Sequence, residues 1–288
     1  MSDTQYKTLA VEGDINIFYR TAGPVSGPVI LLLHGFPSSS HQYRNLIPLL
    51  ANKGYRVIAP DFPGFGFTTF PDSYKHTFEN LSITTEKLLD ALQIKKFAVY
   101  IFDYGAPTAL RLALRRPEAV TAIITQNGNA YVEGIADFWA PIQSYWKSGS
   151  AEDRAAVGKA ILTYEATKWQ YDFGTPSTIT PAPEAYNLDW ALMSRPGNSE
   201  IQLDLFLDYG TNLDFYPQFQ EYFRKSQVPV LGVWGKNDLI FVRQGLEPFK
   251  RDLPNAELHL LDAGHFAVES HTKVIAELIL DFLKRNNI

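Results

Sequence analysis

The stretch AVYIFDYGAPT, residues 98–108, places the carboxyl group of Asp103 between an apolar run and the start of a predicted helix. A carboxylate that leaves water without partners costs several kcal/mol or takes up a proton, so this position needs an explanation. Gly105 permits a tight strand-to-helix turn, and aspartate tolerates positive φ. Such a turn displays a nucleophile, whereas an isolated aspartate at a helix start is usually a cap. The stretch therefore predicts either a nucleophilic carboxylate or a helix cap.

Serine is the familiar nucleophile at such a turn, flanked by glycine two residues before and two residues after it. No serine in the chain has this surrounding, and Ile101 occupies the first flanking position of Asp103. A serine hydroxyl must lose a proton before it attacks a carbonyl, but a carboxylate is already an anion at pH 7. Aspartate at this turn therefore indicates attack on a saturated carbon atom.

A second apolar run ends in LLLHGFP, residues 31–37. The loop that follows can turn a backbone N–H toward the Asp103 turn, and paired N–H groups stabilise negative charge that develops on an oxygen atom. We predict that the N–H groups of Phe36 and Tyr104 form this oxyanion hole. We assign His34 a structural role and no part in proton transfer.

Two further ionisable residues follow buried strands near the end of the chain. Asp238 lies in VWGKND, and His265 lies in LLDAGHF. Catalytic groups collect at the carboxyl edge of parallel sheets, where Asp103 is also expected. We therefore predict a catalytic triad in which Asp103 is the nucleophile, Asp238 the supporting acid and His265 the base.

The elements that position these residues alternate between strand and helix, with strands that are apolar throughout. This pattern predicts an α/β fold with a mostly parallel sheet and helices on both faces. The strands are predicted at residues 15–20, 29–35, 55–60, 96–102, 119–127, 228–235 and 256–262, with residues 15–20 and the Gly/Pro turn after them forming a hairpin and residues 29–35 a buried strand. The helices are predicted at residues 41–52, 77–92, 106–116, 243–250 and 267–285.

The alternation stops over residues 131–223, which contain four of the five tryptophans, many other aromatic residues and no convincing buried strand. We predict that these residues form an inserted helical lid and that residues 1–130 and 224–288 form the core domain. Some of the lid aromatic residues should line a cavity, although aromatic residues at helical spacing often serve packing alone.

Composition excludes several classes of function. The 288 residues carry a net charge of -5 with acidic and basic residues interspersed, so we expect no nucleic-acid and no membrane partner. There is no cysteine and no secretory leader pattern, and we expect a cytoplasmic protein. No metal-ligand spacing and no phosphate-binding loop is found, so the expected chemistry requires no metal and no cofactor. The oligomeric state is left open.

The segments HGFP, DFPGFGFT, IFDYGAP, WGKND and GHF occur in the order typical of the α/β-hydrolase superfamily, which the chain resembles over nearly its whole length. The aspartate at the turn is similar to that of the branch containing epoxide hydrolases and haloalkane dehalogenases. The resemblance implies a small apolar substrate, a covalent ester on Asp103, and hydrolysis of that ester by water that His265 and Asp238 activate.

The leaving group separates the candidate activities. An epoxide opens to an alkoxide that needs a proton, and the resemblance implies two lid tyrosines as donors, for which Tyr209 and Tyr145 are our choices. Tyr164 and Tyr171 compete with Tyr145 for the earlier position. Trp139 and Trp146 are expected to line the substrate site.

Two alternatives remain open. A haloalkane or haloacid dehalogenase would use the same two steps, and Trp139, Trp146, Trp169 and Asn127 could donate N–H groups to the halide. Against this, the residue after Asp103 is Tyr104 where dehalogenases commonly have tryptophan, and Phe36 stands where asparagine is common. The second alternative is a ligand receptor that retains the pocket without turnover.

Overall fold

The structure is a computed structural model that describes residues 3–288. Within these residues, eight strands form one sheet: β1 Gln5–Val11, β2 Ile15–Ala22, β3 Val29–Leu33, β4 Arg56–Pro60, β5 Phe97–Phe102, β6 Val120–Gln126, β7 Val230–Gly235 and β8 Glu257–Leu261. Their order is β1-β2-β4-β3-β5-β6-β7-β8. The pairings of β2 with β1 and β4 are antiparallel and the other pairings are parallel. The predicted α/β class with a mostly parallel sheet is confirmed.

Eleven α-helices belong to the described part of the chain. They are α1 Leu46–Ala51, α2 Phe78–Ala91, α3 Gly105–Arg115, α4 Ala140–Ser148, α5 Ala151–Ile161, α6 Tyr164–Asp172, α7 Pro183–Met193, α8 Asn198–Ser226, α9 Phe249–Asp252, α10 Ala267–Ser270 and α11 Thr272–Arg285. No helix within residues 3–288 is long and apolar enough to cross a membrane.

Both faces of the sheet are buried, which explains the apolar strands. Along β3, Leu31 and Leu33 join one hydrophobic cluster, whereas Ile30 and Leu32 join the other. The first cluster includes α2, α3 and α8, and the second includes α1 and α11. Successive side chains of a strand point to opposite faces, so a strand covered on both sides must be apolar at every position.

Helices α4 to α8 lie between β6 and β7 in the chain, and we call residues 131–223 the lid segment. The predicted end of this segment falls inside α8, which continues to Ser226. The α8 helix packs against α2, α3, α4 and α5. It therefore spans from the other lid helices to the helices that cover the sheet.

Some element boundaries differ from the sequence-based predictions. The hairpin predicted from residues 15–20 and the turn after them is wrong, because β2 pairs with β1 and β4 and does not pair with β3. Strand β1, which was not predicted, is mostly exposed and lacks a buried apolar alternation. The helix predicted at residues 41–52 is a short 3-10 turn followed by α1, because Pro48 lacks an N–H and fits only near a helix start. The last predicted helix is interrupted at His271, between α10 and α11.

Candidate active site

Asp103 occupies a tight turn between β5 and α3, where it is 3% exposed and has a φ of 47°. Two glycines make this turn possible. A Cβ atom on Gly105 would lie 2.3 Å from the Leu33 carbonyl oxygen, and one on Gly35 would lie 2.1 Å from Asp103 Oδ1. Any other residue would displace the turn or the carboxyl group, so both positions require glycine.

The carboxyl group of Asp103 receives backbone N–H groups. The Phe36 N–H donates to Asp103 Oδ1 over 2.6 Å. Burial raises the pKa of Asp103 to about 6, although the His265 charge and hydrogen bonds from the Phe36 and Tyr104 N–H groups act in the opposite direction. The structure thus brings both predicted oxyanion-hole N–H groups to this carboxyl.

His265 lies between two carboxyl groups. Its Nδ1 atom is 2.8 Å from Asp238 Oδ2, and its Nε2 atom is 4.0 Å from Asp103 Oδ2 with no hydrogen-bond partner among residues 3–288. Burial alone would lower the pKa of His265, but the charge and hydrogen bond of Asp238, helped by Asp103, raise it above its ordinary value. The free nitrogen faces Asp103 and is placed to take a proton from water.

Asp238 is held by two donors besides His265. The Ile240 N–H donates to its Oδ1 over 2.7 Å, and the Asn127 side-chain amide donates to its Oδ2 over 2.7 Å. Asn127 follows β6 with a φ of 50°, a conformation that asparagine adopts more readily than most residues. The Asn127 amide therefore donates to Asp238 and, over 3.4 Å, to the Gly235 carbonyl oxygen, and it is not free to bind a halide. An asparagine directly after a strand at the site edge is the one sequence signal here, and it does not identify Asp238 as the partner.

His34 is structural, as the sequence predicts. Its Nε2 atom accepts the Phe62 N–H over 3.0 Å, so the ring proton is on Nδ1, which lies 3.0 Å from the Gly35 carbonyl oxygen. Burial lowers the pKa of His34 to about 4, so it stays neutral and fixes the loop that carries the Phe36 N–H.

Two lid tyrosines lie near Asp103. The hydroxyl oxygens of Tyr209 and Tyr216 are 3.5 Å apart, and both residues are buried. Burial raises the pKa of Tyr216 to about 12 and that of Tyr209 well above its usual range, and the charge of Asp103 adds to both shifts. The sequence reasoning missed Tyr216. Its spacing of seven residues from Tyr209 is two helical turns, and this same-face relationship is the signal that could have found it.

Two of the three earlier tyrosines bind partners elsewhere, and Tyr164 contacts the rings of Tyr186 and Trp190. Arg154 donates to the Tyr145 hydroxyl oxygen over 2.7 Å, and the same arginine pairs with Glu200. The Tyr171 hydroxyl donates to Asp189. The hydroxyl that hydrogen-bonds with Tyr209 is thus that of Tyr216, and the structure does not place Tyr145 in this pair.

Both predicted lining tryptophans contact the ring of Tyr209. The ring centroids of Trp139 and Tyr209 are 4.5 Å apart, and those of Trp146 and Tyr209 are 6.0 Å apart. Their indole N–H groups donate to backbone carbonyls, that of Trp139 to Ile240 over 2.7 Å and that of Trp146 to Phe206 over 2.6 Å. These two tryptophans therefore present ring faces near Tyr209 and have no free N–H for an anion.

No group of three or more His, Cys, Asp or Glu side chains within residues 3–288 is arranged to hold a metal ion.

Comparison with known proteins shows the family to which the chain belongs. The profile of a family described as the alpha/beta hydrolase fold matches residues 28–272. The chain is 46% identical over 287 residues to the uncharacterized hydrolase YNR064C of Saccharomyces cerevisiae, and the match covers 98% of each protein. It is 26% identical to epoxide hydrolase 1 of Siraitia grosvenorii, with 99% of this chain and 100% of that protein covered.

A shorter match exists to a haloalkane dehalogenase of Mesorhizobium japonicum. It is 40% identical over 125 residues and covers 43% of this chain and 38% of that protein. The family match spans most of the sheet, the lid segment and all three residues of the Asp103, Asp238 and His265 arrangement. On this match and on the fold it describes, the chain belongs to the α/β-hydrolase family.

Proposed function

We propose that this hydrolase opens small apolar epoxides through a covalent ester on Asp103. One observation carries the proposal: one oxygen of the buried Asp103 carboxyl accepts the Phe36 N–H at 2.6 Å, and the other faces the unpartnered Nε2 of His265 at 4.0 Å. A carboxylate in this position is a nucleophile with a preformed oxyanion hole and a nearby base. A helix cap would need neither.

In the first step, Asp103 Oδ2 attacks a ring carbon of the epoxide. The bond between that carbon and the ring oxygen breaks, and its electron pair stays on the oxygen. The oxygen takes a phenolic proton from the pair formed by Tyr209 and Tyr216, because an unprotonated alkoxide is a poor leaving group. The products of this step are a hydroxyalkyl ester on Asp103 and a phenolate.

In the second step, His265 Nε2 takes a proton from water, and the resulting hydroxide attacks Cγ of the Asp103 ester. The N–H groups of Phe36 and Tyr104 stabilise the oxyanion on Oδ1, and Asp238 stabilises the positive charge on His265. The bond between Cγ and Oδ2 then breaks, the departing alkoxide takes the proton of the new carboxylic acid, and a diol leaves while Asp103 is again a carboxylate. The proton on His265 returns through solvent to the phenolate, so one epoxide and one water yield one diol.

A halide leaving group fits the same first step, but three of its four predicted donors are bound elsewhere. The indole N–H groups of Trp139 and Trp146 are bound to backbone carbonyls, and the amide of Asn127 is bound to Asp238. The likeness to a dehalogenase covers less than half of the chain. We therefore rank the dehalogenase second, and the receptor last, because a receptor has no need of a complete triad.

Turnover of styrene oxide and phenethyl bromide tests this ranking, with the diol and bromide measured separately. We expect diol from the epoxide and little or no bromide. A single turnover in heavy-oxygen water should place the label in the Asp103 carboxyl group, because water attacks the ester carbonyl. Label found only in the first diol would mean direct attack by water and would refute the ester. Bromide release without diol would favour the dehalogenase.

A further inference from the structure

We propose that Asn129 is a positioning residue that keeps a phenolic proton of Tyr209 or Tyr216 directed at the leaving oxygen. This inference rests on the proposed function. Asn129 follows β6, is fully buried, and its side-chain Nδ2 donates to the Tyr216 hydroxyl oxygen over 3.1 Å. Nothing in the sequence motifs marks this residue, since it is neither ionisable nor part of the triad.

The orientation of the Asn129 amide is fixed by its second contact. The Tyr131 carbonyl oxygen, which can only accept, lies 2.7 Å from Nδ2, and the Tyr131 N–H lies 3.4 Å from Oδ1. The group that faces Tyr216 must therefore be the NH2 side of the amide, with one hydrogen for each oxygen. Asn129 is an obligatory donor to Tyr216.

This donor decides where the phenolic protons can go. A phenol has one proton, and Tyr216 cannot donate it to a group that is itself donating. One proton of the pair can bridge the 3.5 Å between the two hydroxyl oxygens, and the other remains for the substrate. If residue 129 were an acceptor, Tyr216 could donate to it and Tyr209 to Tyr216, which would leave no proton for the leaving oxygen.

The same hydrogen bond stabilises the phenolate that remains after proton transfer. The Asn129 bond acts to lower the pKa of Tyr216, against the larger effect of burial. A donor on an oxygen that becomes negative is worth about 100-fold or more in rate at other sites. Its loss should slow formation of the ester and leave the later attack by water unaffected.

Two glycines hold the Asn129 amide in place. A Cβ atom on Gly134 would lie 2.3 Å from Asn129 Oδ1, and one on Gly245 would lie 2.6 Å from the same oxygen. The amide is therefore packed directly against both glycine backbones and has little freedom to turn. The amide can therefore be tested in two ways: by Asn129→Asp, which has the same shape, and by Gly134→Ala, which displaces the amide.

The first test is Asn129→Asp, which keeps the shape and removes the amide donor. We expect ester formation, followed by stopped-flow tryptophan fluorescence under single turnover, to slow by about 100-fold near pH 8. Hydrolysis of the ester should keep its native rate. The ratio of variant to native rates of ester formation should rise toward low pH, because the introduced carboxyl group, once protonated, regains one hydrogen that the Tyr131 carbonyl and the Tyr216 hydroxyl share.

The second test is Gly134→Ala, which touches neither tyrosine of the pair but pushes on Asn129 Oδ1. We expect the same selective loss of ester formation, of smaller size. Gly158→Ala is the matched control, because its Cβ atom would meet only the Leu203 side chain at an ordinary 3.7 Å. It should keep both native rates.

The outcomes separate the two proposals. Selective slowing in both test variants, with a pH-dependent ratio for Asn129→Asp, supports the positioning role. Equal loss of both steps, or a ratio that does not change with pH, means that Asn129 is only structural and overturns the inference. If the native protein forms no ester with any epoxide, the proposed function fails and the inference fails with it.

Discussion

Nε2 of His265 lies 4.0 Å from Oδ2 of Asp103, which is too far for a hydrogen bond. The spacing lets one water molecule reach both atoms. Because the two groups do not bind each other, Oδ2 stays free to attack and Nε2 stays free to accept a proton. The charge of each still shifts the pKa of the other.

Replacing the base should separate the two steps. In His265→Gln, Asp103 can still attack the epoxide, but no group removes a proton from water. We expect the intact protein to gain the mass of one whole epoxide molecule, with the adduct on the peptide that contains Asp103. Asp103→Asn is the control and should gain no mass. An unmodified His265→Gln protein after incubation would contradict the two-step scheme.

The rate of ester formation should fall in acid. Burial raises the pKa of Asp103 to about 6, so the nucleophile becomes protonated as pH drops through that value. Below it, the single-turnover rate should fall by about tenfold for each pH unit. The rate is measured by stopped-flow fluorescence between about pH 4.5 and 8, a range that brackets the expected midpoint of about 6. Each rate is corrected for the spontaneous opening of the epoxide. A flat profile across this range would contradict the raised pKa.

The raised pKa of Asp103 also predicts that its ionised carboxyl group destabilises the fold. A carboxyl group whose pKa rises on folding binds its proton more tightly in the folded state, so stability falls as pH rises through about 4 to 6. Above that pH window, the ionised carboxyl group lowers the free energy of unfolding by at most about 3 kcal/mol, from 1.36 kcal/mol per pKa unit. Asp103→Asn should therefore unfold at higher denaturant concentration than the native protein at pH 8, and the difference should shrink toward pH 4. Equal stability at pH 8 would contradict this.

The tyrosine pair should affect only the first step. Tyr209→Phe and Tyr216→Phe should each slow ester formation by about 100-fold, the lower range for loss of a general acid, and leave ester hydrolysis unchanged. Tyr145→Phe is the matched control, because that hydroxyl lies against Arg154 and its ion pairs with Glu200 and Asp204, away from the bond between Tyr209 and Tyr216. If Tyr145→Phe were as slow as the other two, the assignment of the donors would be wrong. The double variant of Tyr209 and Tyr216 should lose less than the product of the two single losses.

Halide binding gives an independent check on the leaving group. Because the N–H groups of Trp139 and Trp146 donate to backbone carbonyls, bromide should have no saturable site beside them. We expect bromide to quench tryptophan fluorescence linearly, as it does in collisions with exposed indoles. Quenching that saturates with bromide concentration in the native protein, and no longer does so in Trp146→Phe, would instead support a halide site and the dehalogenase alternative.

The sequence predicts most of the sheet well because its central parallel strands, such as β3, β5 and β7, are apolar and buried. Asp103, Asp238 and His265 all follow parallel strands, and parallel pairing brings strand ends together without further information. The meeting of these three side chains is therefore predictable from local patterns. The hydrogen bond from Asn127 to Asp238 is not, since an asparagine after a strand is common and its partner lies 111 residues away.

The lid was harder to predict, because its helices follow packing and not a repeated pattern. Tyr145 and Tyr216 are both buried tyrosines on helices, yet one hydroxyl binds Arg154 and the other binds Asn129 and Tyr209. Which way a phenol points depends on how α4 and α8 pack, and sequence spacing within one helix carries that information only for Tyr209 and Tyr216. Strand β1 was missed for a related reason, as its exposed side chains give no apolar alternation.

The order of the proposed catalytic residues along the chain has a consequence for protein synthesis. Asp103 precedes the lid segment, whereas Asp238 and His265 follow it, so the ribosome adds the proposed nucleophile long before the proposed base. A product of premature termination within α8 lacks β7, β8, Asp238 and His265. If such a fragment folded far enough to bind an epoxide, Asp103 would form an ester that no base in the fragment could help hydrolyse. One substrate molecule would then inactivate it.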